Sequence, residues 1–130
     1  MKFGDAVQSA DWKKEKHAPV IEAPVTVKAG EPFVVTLSVG KEIAHPNTTA
    51  HHIVWIDLYF KPDGDKFLYQ VGHCEFMAHG ASAQGADSGP AWANPVAMVS
   101  LKVNGPGTLV ATSLCNIHGV WENSQELKVE

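Results

Sequence analysis

The chain has 130 residues, of which 45% are hydrophobic and 18% are charged, and its formal net charge at pH 7 is -4. This size and composition predict a single domain, residues 1–130, with one hydrophobic core. The negative charge argues against a general affinity for nucleic acid, because the lysines cluster only locally, at Lys13, Lys14 and Lys16.

The amino-terminal segment, residues 1–16, contains no continuous apolar run. We therefore expect neither a signal peptide nor a membrane-spanning helix, and we predict a cytoplasmic protein that does not act at a membrane. Two cysteines, Cys74 and Cys115, are too few for a disulfide framework, and a reducing cytosol would disfavour pairing them. Cys74 lies in an apolar stretch and is expected to behave as a small buried hydrophobic residue.

Alternation of apolar and polar residues with a period of two indicates β-strands, and no segment shows convincing helical periodicity. The clearest example is residues 33–39, in which Phe33, Val35, Leu37 and Val39 share one face. Seven strands are predicted, in chain order, at residues 25–28, 33–39, 53–60, 67–77, 96–103, 108–114 and 125–129.

The segments between these strands are rich in turn-forming residues. Gly, Pro, Asn and Asp at residues 29–32, 62–65 and 104–107 predict antiparallel hairpin connections. Residues 80–94 are mostly small and predict a long exposed loop. Seven short strands in a chain of this length predict an all-β fold, an immunoglobulin-like antiparallel β-sandwich.

Candidate metal ligands occur in three segments near the ends of predicted strands. His17 precedes Ala18-Pro19, which favours an extended loop, although this residue alone is more simply interpreted as a solvated histidine. His45 and His51 bracket a turn-forming stretch that could bring them together, which is by itself a weak signal. Cys115 and His118, three residues apart and followed by Gly119, form the strongest pair.

Taken together, four imidazoles and one thiolate are the ligands that a mononuclear redox iron site with one open face needs, and a closed structural zinc site does not. His51 and His52 would point to opposite faces of a strand, so only one of them can bind the same ion, and the spacing favours His51. His73 and His79 lack ligand spacing to the others, and surface or supporting roles are expected for them.

Three motifs resemble those of the superoxide reductase family, in particular its one-iron form, the neelaredoxins. They are Glu15-Lys16-His17-Ala18-Pro19, then His45-Pro46-Asn47 with Thr49-Ala50-His51-His52-Ile53, and Cys115-Asn116-Ile117-His118-Gly119-Val120-Trp121-Glu122. The resemblance extends over about residues 11–122. It implies an immunoglobulin-like sandwich with one non-haem iron per chain in square-pyramidal coordination, in which four histidines lie in the plane and Cys115 is axial: His17, His45, His51 and His118.

The resemblance also implies the reaction, a one-electron reduction of superoxide to hydrogen peroxide. Glu15 matches the carboxylate that closes the sixth position of oxidised iron, and Lys16 matches the lysine that guides the anionic substrate. An external electron donor such as rubredoxin and a homo-oligomer, a tetramer in many short members, are implied as well. From the residues alone, Glu15 could equally be a solvent-exposed ion-pair partner of Lys14 or Lys16.

Two other functions are compatible with a small β-sandwich. A copper electron-transfer protein of the cupredoxin type uses two histidines, one cysteine and usually an axial methionine. No methionine follows Cys115, since Met77 and Met98 lie on other predicted strands, and two histidines would be left without a role. A metal-free binding domain would be favoured by the fold alone.

Overall fold

The computed structural model describes all residues, 1–130, as a short helix followed by nine strands. The helix α1 spans Phe3–Ala6. The strands are β1 (Gln8–Ser9), β2 (Val20–Glu22), β3 (Thr26–Val27), β4 (Phe33–Ser38), β5 (Ile53–Pro62), β6 (Tyr69–Glu75), β7 (Val96–Leu101), β8 (Gly107–Cys115) and β9 (Gly119–Val129).

The strands form two sheets that pack face to face. The larger sheet has the order β1-β9-β8-β5-β6, with β3 also paired to β9, and the smaller sheet has the order β2-β4-β7. The short strands β1 and β3 run parallel to β9, whereas all other neighbours are antiparallel. This is the immunoglobulin-like β-sandwich that the sequence predicted.

The core lies between the two sheets and follows the period-two pattern. Val35 and Leu37 of β4 are buried, whereas Val34, the residue before Val35, is 52% exposed. Ile56 and Leu58 of β5 and Leu109 of β8 close the core from the larger sheet. Burying such side chains stabilises the fold by roughly 2 kcal/mol each, so the alternation fixes which face of each strand turns inward.

The structure differs from the sequence prediction mainly at short or polar elements. Helix α1 is a single exposed turn, and β1 and β2 are two and three residues long, too short to show a period. β9 begins at Gly119, whereas the sequence predicted a strand only from residue 125. Val120 to Ser124 pair with β8, but they show no regular alternation of burial that would have indicated a strand.

Two further sequence expectations concern the cysteines and the membrane. Cys74 and Cys115 are both free thiols; Cys115 is buried, whereas Cys74 on edge strand β6 is only half-buried. β6 is paired on one side only, which leaves Cys74 partly accessible. No helix in the structure has the length and apolar character needed to cross a membrane.

Candidate metal centre

The predicted ligands come together at one end of the sandwich. Three segments meet there: the residues before β2, the loop between β4 and β5, and the turn between β8 and β9. Four of the predicted ligands each place one potential ligand atom within 4.8 Å of the others: His17, His45, His51 and Cys115.

Cys115 is the last residue of β8 and continues an inward-facing series. Leu109, Ala111 and Ser113 precede it at every second position and are completely buried, and Cys115 is 1% exposed. Cys115 pairs with Gly119 across a three-residue turn, where Gly119 adopts φ +81°. Glycine reaches this left-handed conformation without steric cost, so the chain can reverse immediately after the thiol.

His118 is the last residue of that turn, and the backbone folds it back onto Cys115. The His118 N–H donates to Cys115 Sγ at 3.3 Å, and His118 Nδ1 lies 3.6 Å from the same sulfur. His118 Nδ1 is also 3.1 Å from His17 Nε2. Two nitrogens bound at right angles to one metal, each at about 2.1 Å, would be about 3 Å apart. The observed separation therefore suits two ligands of one ion.

His17 is buried and held by two neighbours. Its Nδ1–H donates to Glu15 Oε1 at 2.6 Å, and its backbone N–H donates to the same oxygen at 3.1 Å. Its ring stacks on Trp121 with centroids 5.2 Å apart. Because Nδ1 carries the proton, Nε2 presents its lone pair to the centre. The hydrogen bond from His17 also holds the pKa of the Glu15 carboxyl below its usual range.

His45 and His51 supply two buried nitrogens that have no partner in the protein. The Nε2 atom of each is shielded from solvent and makes no hydrogen bond. His45 Nδ1 lies 2.7 Å from Pro46 O, which can only accept, so Nδ1 is the protonated nitrogen and Nε2 is free to bind a metal. A buried polar atom without a partner is costly, and a metal ion between these rings would satisfy both nitrogens.

The four imidazole rings lie at the corners of a quadrilateral. Neighbouring ring centroids are separated by 4.9 Å (His17–His45), 4.8 Å (His45–His51), 5.1 Å (His51–His118) and 4.6 Å (His118–His17). The diagonal pair, His17 and His51, is 6.4 Å apart. Four nitrogen donors can thus surround one ion, and the buried Cys115 thiol adds a sulfur donor. These residues fit a single mononuclear metal ion.

The protonation of the rings favours metal binding at neutral pH. Burial lowers the pKa of His45 to about 4 and also lowers the pKa of His51, with smaller effects from neighbouring positive charges that include Lys16. Both imidazoles are consequently neutral at pH 7, so their lone pairs are available without displacing a proton.

The other three histidines lie outside this group. His52 Nδ1–H donates to Thr48 O at 2.9 Å, and the His52 ring stacks on His79 with centroids 3.5 Å apart. His73 is exposed on β6, where it bonds Asp57 and Glu75. The structure therefore brings His51, and not His52, to the cluster, and it leaves His73 and His79 away from it.

Glu15 and Lys16 adjoin the cluster through their neighbour His17. The Glu15 carboxylate is one-third exposed and is engaged by His17, and it forms no ion pair with Lys14 or Lys16. Lys16 is half-buried and belongs to none of the ion pairs in the structure. Its ammonium group thus adds a positive charge beside the ligands that no close ion pair neutralises.

Sequence reasoning assigned no role to two residues that contact the ligand segments. Trp121 stacks on His17, and its indole N–H donates to His118 O at 3.1 Å. Asn116 bonds the backbone on both sides of His51. Both residues lie in the motif after Cys115 that carries the family resemblance, and this membership is the only sequence signal that could have indicated a role. Neither the strand periodicity nor the chemistry of metal ligands sets these two residues apart.

Fold and side-chain cluster together define a class of protein: an immunoglobulin-like β-sandwich with four histidines and one cysteine gathered at one end in an arrangement that fits a metal ion. The model of the desulfoferrodoxin family matches residues 9–124, and the chain belongs to this family.

The chain is similar to several relatives over nearly their whole length. It is 55% identical over 130 residues to neelaredoxin of Megalodesulfovibrio gigas, covering all of both chains. It is 50% identical to superoxide reductase of Pyrococcus furiosus, over 97% of this chain and 99% of that one. The reduced superoxide reductase (neelaredoxin) of Archaeoglobus fulgidus superimposes with a TM-score of 0.88 and 51% identity, over 95% of this chain and 98% of that chain.

Proposed function

We propose that this protein is a superoxide reductase that acts at one mononuclear non-haem iron, Fe(His)4(Cys), per chain. The observation that carries the proposal is the convergence of four imidazoles and one buried thiol in a chain about half identical to a neelaredoxin and a superoxide reductase. The donors would be Nε2 of His17, His45 and His51, Nδ1 of His118 and Sγ of Cys115.

When bound, the iron supplies one electron by cycling between its ferrous and ferric states. Superoxide takes up this electron and two protons to give hydrogen peroxide. The residues of the chain fix the ligand geometry: Glu15 and the Pro46 carbonyl hold the tautomers of His17 and His45, and the β8–β9 turn holds His118 over Cys115.

Lys16 and Glu15 would act on the substrate side. The net charge of -4 repels an anion from the molecule as a whole, whereas the unpaired Lys16 ammonium attracts it locally. The Glu15 carboxylate would serve as a sixth ligand to oxidised iron. In the structure this carboxylate bonds His17 Nδ1 at 2.6 Å, so it would have to swing away from His17 to do so.

The electron source, the assembly and the location complete the proposal. A single iron stores one reducing equivalent, so an external carrier, rubredoxin or a similar protein, would re-reduce it. We propose that residues 1–130 form one domain, that the chain assembles as a homo-oligomer of tetrameric size, and that it works in the cytoplasm, where its two free thiols stay reduced.

The cupredoxin-type alternative gains no support. Such a site needs two histidines and an axial methionine, but four imidazoles gather here. Met77 and Met98 are 79% and 74% exposed on the surface of the sandwich.

The proposal is tested by mixing iron-loaded, fully reduced protein with pulse-generated superoxide in the absence of a donor. We expect one hydrogen peroxide per iron oxidised and no release of oxygen. Sustained consumption of superoxide with oxygen release would instead identify a dismutase, and no reaction would refute both activities.

A further inference from the structure

Asn116 connects the two segments that carry most of the metal ligands. It is the first residue of the three-residue turn between Cys115 and Gly119, and its side chain crosses to the loop between β4 and β5. Asn116 Oδ1 accepts from the His52 N–H at 2.9 Å, and Asn116 Nδ2 donates to Ala50 O at 2.9 Å. The Asn116 backbone N–H also donates to His52 O at 3.2 Å. These three hydrogen bonds fix the backbone on both sides of His51.

His51 depends on its backbone more than the other ligands do. The His17 ring is fixed by Glu15, and the His45 ring by the carbonyl of Pro46. The His51 ring makes no hydrogen bond within the chain, and its Nε2 is buried without a partner. Its position at the centre is therefore set by the bonds of its own backbone to Thr48 and by those of Asn116 to its two neighbours.

An ordinary turn asparagine would behave differently. In turns, asparagine side chains usually bond the backbone two residues further along and stabilise their own turn. The Asn116 side chain bonds only residues 64 and 66 positions away in sequence. The Asn116 backbone N–H to His52 O bond continues the β5–β8 ladder by one step beyond the Ile53–Cys115 pair, where β8 ends and β5 begins.

We propose that Asn116 is a positioning residue that sets His51 relative to Cys115 and thereby controls how tightly the metal is held. The inference rests on the proposed ligand set. It does not depend on the reaction with superoxide, because it concerns the binding of a metal ion and not its redox chemistry.

The test uses Co(II) as a spectroscopic probe, added to metal-free full-length protein. We expect Asn116→Ala to weaken Co(II) binding about 10-fold to 100-fold, as removal of groups that orient ligands does. The thiolate-to-cobalt band should persist, because Cys115 is unaffected, while the d–d bands shift toward those of His51→Ala. The control is Ile117→Ala, which truncates the exposed neighbour in the same turn and should bind Co(II) like the wild type.

A double-mutant comparison separates positioning from general stabilisation. If Asn116 acts through His51, then adding Asn116→Ala to His51→Ala should leave Co(II) affinity unchanged. An equal loss of affinity in both backgrounds, or wild-type affinity and d–d bands for Asn116→Ala alone, would overturn the proposal. Should Asn116→Ala fail to fold, Asn116→Asp provides the same test, since it retains the acceptor for His52 N–H and loses the donor to Ala50 O. Failure of superoxide reduction in the wild type would refute the proposed function without affecting this result.

Discussion

Lys16 shows how a single side chain can reverse the effect of the overall charge. It is half-buried beside His17 and forms no close ion pair with a carboxylate. Its proximity contributes to the lowered pKa of both His45 and His51. A small anion approaching this end of the sandwich therefore meets a positive field in a molecule that is negative overall.

We expect Lys16→Ala to slow the bimolecular reaction with superoxide about ten-fold at low ionic strength and to weaken its dependence on salt. The control is Lys128→Ala, which removes the same charge from the opposite end of β9. Stopped-flow or pulse-radiolysis rates at several salt concentrations provide the measurement. Equal effects of the two substitutions would show that only net charge matters.

Glu15 has two possible roles at the residue scale, and a substitution distinguishes them. We expect Glu15→Ala to retain iron and to leave the ferric site accessible to added anions such as azide, detected as a change in the visible spectrum. If the carboxylate serves chiefly to orient His17, whose Nδ1 it bonds at 2.6 Å, the variant would instead lose iron. Loss of iron would contradict its assignment to the sixth position.

At the scale of elements, the strand ends determine where the ligands lie. Period-two alternation in β8 carries inward-facing positions from Leu109 to Cys115, so burial of the core also directs the thiol. The β4–β5 loop must then turn tightly enough to bring His45 above it. Gly40 makes this possible: it has φ +91°, and a Cβ atom there would lie 2.7 Å from His45 N.

Gly40→Ala should therefore lower the free energy of unfolding by about 2 kcal/mol and weaken metal binding through displacement of His45. Gly30→Ala is the matched control, because Gly30 also has a positive φ but nothing within 4 Å of the added Cβ. It should cost only the left-handed strain, about 1 kcal/mol, with normal metal content. Denaturant titration and metal analysis of both variants give the comparison, and equal metal loss would refute the close-approach explanation.

A second element-scale feature is the hydrogen-bonded group on the outer face of β5 and β6. His73 lies opposite Asp57 in the sheet and bonds both Asp57 and Glu75. Its bond to Glu75, followed by the bond to Asp57, raises the pKa of His73 above the ordinary 6.5. Protonated His73 is thus favoured in the folded state.

The sign of the pH effect follows from this direction. The stabilisation is fully present below the unfolded-state pKa of about 6.5 and is lost as pH rises through the higher folded-state value. We expect the denaturation midpoint of the wild type to fall more steeply above that pH than the midpoint of His73→Gln. Urea titrations across this range test it, and parallel pH profiles for the two proteins would contradict it.

The same elements explain which parts of the structure could be predicted. Strands with one buried and one exposed face, such as β4, show alternating apolar and polar residues in the sequence, because the positions that face the core must be apolar. The short strands β1 and β2 and the polar first half of β9 are held by pairing to their neighbours, which no local pattern reveals. Likewise, the histidine and cysteine ligands of the site could be predicted from the sequence. The hydrogen bonds of Asn116 could not, because they form only when two segments distant in sequence come together.

At the scale of the whole molecule, the sandwich supplies a rigid end and the loops supply the ligands. Both sheets contribute to one core, and the three ligand segments leave it at neighbouring strand ends. Metal binding and folding should accordingly be coupled, since one ion would join three segments that are far apart in sequence. This arrangement accounts for a site built from residues 17 to 118 of a 130-residue chain.

The most direct test of the account is X-ray absorption of the ferrous protein, purified without oxygen, together with iron analysis. We predict one iron per chain, with one sulfur scatterer and four nitrogen scatterers of imidazole type, and loss of the sulfur shell in Cys115→Ser. A wild-type spectrum without sulfur, or with fewer than four imidazoles, would contradict the proposed centre.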